Sequence, residues 1–140
     1  MNTKLNVKQW ALASLAVFVI MTIFAFIMNK LGVELSQMPI TPAFQPDVMT
    51  GRIAVYLSRL IAAGLFTFIF TKAPSDEPGM GHGLRYGLGM GLILFVPNFV
   101  TGLVYWEPST IAQIIFMVVG VIQSVVCGAA VAQLYKPGKA

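Results

Sequence analysis

Few residues in this chain could do chemistry, and they stand far apart. One arginine, Arg59, lies inside an apolar run; there is one histidine, His82, one cysteine, Cys127, and five carboxylates. An arginine at depth in a membrane can hold an anion or a carbonyl oxygen, or can snorkel its head to water while its stem stays in the apolar layer. Snorkelling is the simpler of the two. His82, between Gly81 and Gly83, would serve haem only with a second axial ligand such as Met80, Met90 or a second subunit. Zinc catalysis takes three protein ligands, which the chain does not offer. A lone cysteine excludes an intrachain disulfide and any multi-cysteine cluster; among Val125, Val126 and Gly128, Cys127 reads as a small packing residue. Asp76 and Glu77 adjoin in KAPSDEPGMGH, a solvated turn, and the glycines at 79, 81 and 83 follow no strand and so make no dinucleotide fingerprint. The expectation is no catalytic residue, no metal, no cofactor, and no enzyme.

What positions these residues is set by composition. The 140 residues are 57% hydrophobic and 10% charged, with mean hydropathy +0.81. A soluble domain carries about 25% charged residues to keep its surface in water; here lipid must be the solvent. Four apolar runs are each long enough for a bilayer, which takes roughly 20 residues. The spans are expected over 10–29, 52–71, 83–106 and 110–135 of a single domain, an all-α four-transmembrane-helix bundle of two antiparallel hairpins. The first run is too long for a cleaved signal peptide and ends without the small residues of a cleavage site. Residues 30–51 form the longest connection, broken by Pro39, Pro42 and Pro46 yet apolar enough to lie along the membrane surface. Between spans three and four, Glu107-Pro108-Ser109 turns the chain, and Thr110 with Gln113 matches a capping box.

Charge orients the bundle. Lys4, Lys8, Lys72, Arg85, Lys136 and Lys139 fall on one side, Lys30 and Arg52 on the other. The positive-inside rule then makes both termini cytoplasmic, an N-in/C-in topology. Basic residues scattered at span ends fit topology and not a nucleic-acid footprint, so no nucleic acid is expected. Trp10, Tyr105, Trp106 and Tyr135 stand at span ends, where amphipathic rings prefer to be.

Counted from Arg52, Arg59 lies about 10 Å below the outer boundary at 1.5 Å per residue. Asn98, Thr22 and Thr101 reach a similar level, and Tyr56 and Ser58 extend the stripe outward, so a polar pocket of Arg59, Asn98, Tyr56, Thr22 and Thr101 is the candidate site. Pro97 frees a carbonyl near Ile93 that could receive the guanidinium, as could Asn98, Glu107, Asp47 or Glu34.

Small residues recur at four-residue spacing on two spans: Gly83, Gly87 and Gly91 on the third, Gly120, Ser124 and Gly128 on the fourth. Such faces let backbones approach in a medium that supplies no hydrophobic drive between helices, and are the expected interhelical contact. Packing within one chain is favoured over a homodimer seam.

The four-span layout, GLRYGL opening the third span, VYW-EP closing it and a terminal LYKP resemble small uncharacterised four-helix bacterial inner-membrane proteins. The resemblance implies a multi-pass inner-membrane protein and transfers no catalytic residue. The polar content is too sparse for a self-contained transport path. The expected role is therefore an accessory or assembly subunit of a larger complex, whose partners are the bilayer and other membrane subunits or copies of itself. The alternative is a small oligomeric transporter or channel around an Arg59/Asn98 layer. A fluorescent protein fused after Ala140 should fluoresce in cells, and alkaline phosphatase at the same junction should be inactive; the reverse pair would place the tail across the membrane.

Overall fold

The structure, a computed structural model, describes residues 6–30, 48–73, 79–105 and 110–135. They form four helices, α1 (Val7–Lys30), α2 (Val48–Lys72), α3 (Met80–Tyr105) and α4 (Thr110–Leu134), in an all-α bundle. Each contains a segment of 22 to 24 residues long and apolar enough to cross a membrane. At 1.5 Å per residue that is about 33–36 Å, against a hydrocarbon core of about 30 Å.

Three helices begin three or four residues before the apolar runs do. On α1 the reason is a cap: Asn6 Oδ1 accepts the Gln9 amide at 3.3 Å while Asn6 O accepts that of Trp10 at 2.8 Å. On α3 the Gly83 amide donates to Gly79 O at 3.2 Å, so the helical ladder runs through the glycine-rich entry. On α2 the first turn takes Val48–Gly51 out of the connection expected over 30–51. The rest of that connection, the loop with Asp76 and Glu77, the Glu107–Ser109 turn and Trp106 lie outside the described residues.

The tightest packing is between α3 and α4, which run antiparallel. A Cβ on Gly83 would collide with Gly128 O and come 2.5 Å from the Ala132 Cβ. One on Gly87 would strike Ser124 O and lie 2.7 Å from Val125 Cα; one on Gly91 would sit 3.1 Å from both Ser124 Cβ and Val121 Cα. Backbones thus touch where side chains would stand, allowing dispersion and Cα–H···O contact. The seam ends at Gly120, which faces no glycine: the Phe95 ring occupies the place of its missing side chain. Phe95 also meets Phe116 edge-on at 5.5 Å. Further along, the Gln113 amide donates to Gly102 O at 3.1 Å, tying the two helices near their connection.

Helix α1 packs against both α2 and α4, whereas α2 and α3 have little backbone contact. They meet through side chains at the end carrying Lys8, Lys72 and Arg85. There Ala13, Val17, Ala63, Phe66, Phe70, Cys127, Val131 and Tyr135 form the core. The Tyr86 hydroxyl crosses from α3 to donate to Phe66 O at 2.6 Å. Its ring sits edge-on to Phe66 at 5.0 Å and to Phe70 at 5.1 Å, and His82 tilts against Phe70 at 5.2 Å. Two aromatic residues expected at the interface instead join this core: Tyr135 is buried, and Trp10 packs on the cluster with Cζ2 over Gly64. Standing at a span end does not decide which way a ring faces, and theirs face the bundle.

Elsewhere the surface is apolar, with leucine, isoleucine, valine and phenylalanine exposed along all four helices. A monomeric soluble protein does not show such a surface; one dissolved in acyl chains must. At one end Lys30 Nζ lies 5.6 Å from the Phe26 ring, and at the other Lys72 Nζ lies 5.9 Å from Phe68, each ammonium stationed where its stem can stay apolar.

Because Gly87 faces backbone, Gly87→Val should destabilise the bundle by about 1–3 kcal/mol, the usual cost of overpacking. Gly89, with nothing within 4 Å of a built Cβ, is the control: Gly89→Ala should be neutral or gain up to about 1 kcal/mol in helix propensity. Unfolding in mixed micelles measures both; equal effects would mean that α3 and α4 do not meet along this face.

Candidate functional site

At the other half of the bundle, towards Lys30 and Arg52, the interior is not filled. A cavity of about 160 Å³ is lined by Met21, Ala25 and Met28 of α1, Arg59 of α2, Phe95 of α3, and Phe116, Val119, Gly120 and Gln123 of α4. All four helices contribute to it. Its origin is local: Phe95 lies over Gly120 where the glycine seam would have continued, and α2 does not close on α3 at this level. From Met49 to Ala62, α2 buries no residue; the first buried one is Ala63.

Arg59 is eleven residues from Val48 and thirteen from Lys72, about 16 Å and 20 Å along the axis. The additional turn of α2 therefore leaves it near the middle of its helix. The guanidinium carbon lies 5.7 Å from the Tyr56 ring centroid, a cation–π contact within one helical turn. Among the described residues Arg59 makes no hydrogen bond or ion pair. All five carboxylates, Glu34, Asp47, Asp76, Glu77 and Glu107, lie outside the described residues. The carboxamide of Gln123 likewise has no hydrogen-bond partner among them. The cavity thus combines apolar walls with the guanidinium's five N–H donors and an amide that can both donate and accept.

Of the five residues grouped from the sequence, only Arg59 lines this space. Tyr56 touches its guanidinium but is half exposed. Asn98 is exposed and donates to Leu94 O of its own helix at 2.7 Å. Thr22 donates to Phe18 O at 2.9 Å, and Thr101 is exposed. Ile93, near the carbonyl that Pro97 frees, is 70% exposed and faces out of the bundle. Gln123 lines the cavity without belonging to that group, although the sequence holds a signal for it: an amide inside the apolar run from Ile111 to Leu134 stands out for the same reason as Arg59. The methionine and phenylalanine walls gave no such signal, because they read like any other membrane core.

Two further residues singled out for chemistry sit apart from the cavity. Cys127 is fully buried in the core of the other half, and His82 packs on Phe70 at the Lys72 end. Among the described residues no three His, Cys, Asp or Glu side chains gather as a metal site would require.

Fold and surface together define an integral membrane protein, a multi-pass four-helix bundle whose interior holds a partly polar cavity. No family model, curated protein or solved structure matches the chain.

An unpaired guanidinium in mid-span opposes insertion by about 2.5–3.5 kcal/mol on translocon scales. Arg59→Met should therefore assemble normally and, stripped of lipid in neutral detergent with no amphiphile added, withstand heat at least as well as the parent. A clear fall in melting temperature would reveal a stabilising partner for the guanidinium.

Proposed function

We propose that the protein is a non-enzymatic accessory or assembly subunit of a larger membrane complex, resident in a bacterial inner membrane with both termini cytoplasmic. The observation that carries this reading is the solid half of the bundle. Beneath the cavity Val17, Phe66, Phe70, Cys127 and Val131 fill the space between helices, and Tyr86 bridges α3 to α2. No continuous polar path crosses the described interior, which speaks against transport by a single chain. Among the described residues lining the cavity no acid is paired with a base, which speaks against catalysis. Lys8, Lys72 and Arg85 at one end of the bundle support the cytoplasmic placement of that end. The competing reading, a channel built by oligomerisation, would need the outward-facing Asn98 to join Arg59 across a seam between copies.

Extraction in mild detergent followed by native mass measurement separates the two. A complex with a different integral membrane protein, at fixed stoichiometry, is expected. A homo-oligomer of defined size with no other subunit would replace the accessory role with the channel.

A further inference from the structure

The cavity raises a question that the accessory role does not answer: what neutralises Arg59. Intramembrane arginines pair with an opposite charge, contact backbone carbonyls or reach water. Within the described residues this one has only the face of Tyr56, and no carboxylate belongs to any of the four helices. We propose that Arg59 and Gln123 bind the oxyanion head of an acyl-chain amphiphile, whose chain lies along the cavity wall and leaves between α2 and α3.

Size, polarity and access each narrow the occupant. The cavity holds about 160 Å³, close to the roughly 150 Å³ of an engineered apolar cavity that takes up benzene. A carboxylate with its first few methylenes fits such a volume; a partner helix, about 10–12 Å across, does not. The guanidinium offers a planar fork to two oxygens and the Gln123 amide an additional N–H, a donor set for a carboxylate or phosphate. A neutral carbonyl ligand would leave the positive charge uncompensated. Met21, Met28, Phe95 and Phe116 provide flexible and flat apolar contact for methylenes. The chain has an exit as well, since α2 buries nothing between Met49 and Ala62 and has little backbone contact with α3. The bilayer supplies such amphiphiles in two forms, free fatty acids and anionic phospholipids, and both share the oxyanion-on-acyl-chain chemistry.

The test is equilibrium binding of radiolabelled laurate to the full chain purified in neutral maltoside detergent. Saturable binding of one laurate per chain is expected, displaced by unlabelled laurate but not by dodecanol or dodecyltrimethylammonium. Arg59→Met should weaken binding at least roughly ten-fold, since losing a charge-assisted pair exceeds the 1.4 kcal/mol that a factor of ten represents. Ala25→Leu keeps the charge and fills the cavity; its binding should be lost while its helical circular dichroism and elution volume match the parent. Displacement by phosphatidylglycerol would make phospholipid a competent source, and its failure to displace would restrict the site to free carboxylates. The proposal is overturned by absent or non-saturable binding, by equal displacement with dodecanol, by unchanged affinity in Arg59→Met, or by crosslinking at position 59 to an acidic residue on a partner's helix.

Discussion

Backbone-to-backbone contact between α3 and α4 is the interaction on which the bundle depends. In lipid, burying one leucine against another gains little, because acyl chains are as apolar as the side chains they replace. What remains is close approach, and Gly83, Gly87 and Gly128 provide it by leaving no side chain in the way. The rest of the bundle is arranged around that hairpin. Helix α1 lies on α4, α2 lies on α1, and α2 reaches α3 only where aromatic side chains bridge the distance. The same seam explains the cavity. Where Gly120 receives the Phe95 ring instead of a glycine, the helices can no longer run at minimum separation, and the space beside the ring stays open.

The polar groups of the spans obey the rule that hydrocarbon imposes, namely that each must find a partner without water. Most do so on their own helix. Thr22, Ser58, Thr67, Thr71, Asn98 and Ser124 each donate to a backbone carbonyl three or four residues earlier. Such a bond lets a hydroxyl or amide face acyl chains at little cost and carries no implication of a site. Arg59 and Gln123 depart from that pattern and line the same cavity; in the packed half the buried Ser14 hydroxyl and Trp10 Nε1 also lack a partner among the described residues. Arg59 also lies too far along its helix for a short excursion to either end to be an easy escape.

Much of this was legible in the amino-acid sequence. Runs of about twenty apolar residues determine four helices almost without regard to detail, and small residues every fourth position identify which faces of α3 and α4 meet. Helix starts were less legible, because Asn6 and the Gly79 carbonyl extend the ladder beyond the apolar runs. The candidate site was legible only in Arg59. Counting residues from a boundary gives depth, and depth placed Asn98, Thr22 and Thr101 beside it. Depth says nothing of rotation about the helix axis, however. In the structure Asn98 and Thr101 turn outward, while Gln123 of α4 turns inward. Nor does spacing show that Gly120 pairs with a ring: the four-residue repeat is unbroken there, and the change arises from the bulk of Phe95 on the opposite helix.

The two halves of the bundle therefore differ in kind. The end bearing Lys8, Lys72 and Arg85 is packed from all four helices, with Val17, Thr67, Cys127 and Val131 fully buried and the Tyr86 hydroxyl joining α3 to α2. The other half is held chiefly by the α3–α4 hairpin and by α1, and α2 lies against it loosely. A molecule admitted to the cavity meets a closed floor rather than a passage. What it can change is the position of α2, which buries no residue from Met49 to Ala62. Occupancy would then stabilise whichever placement of α2 brings the guanidinium of Arg59 onto the bound anion, since a ligand shifts an equilibrium only by its differential affinity for the two arrangements. Under the proposed accessory role, and with the proposed lipid anion bound, such a helix would couple the composition of the bilayer to the surface that neighbouring subunits meet.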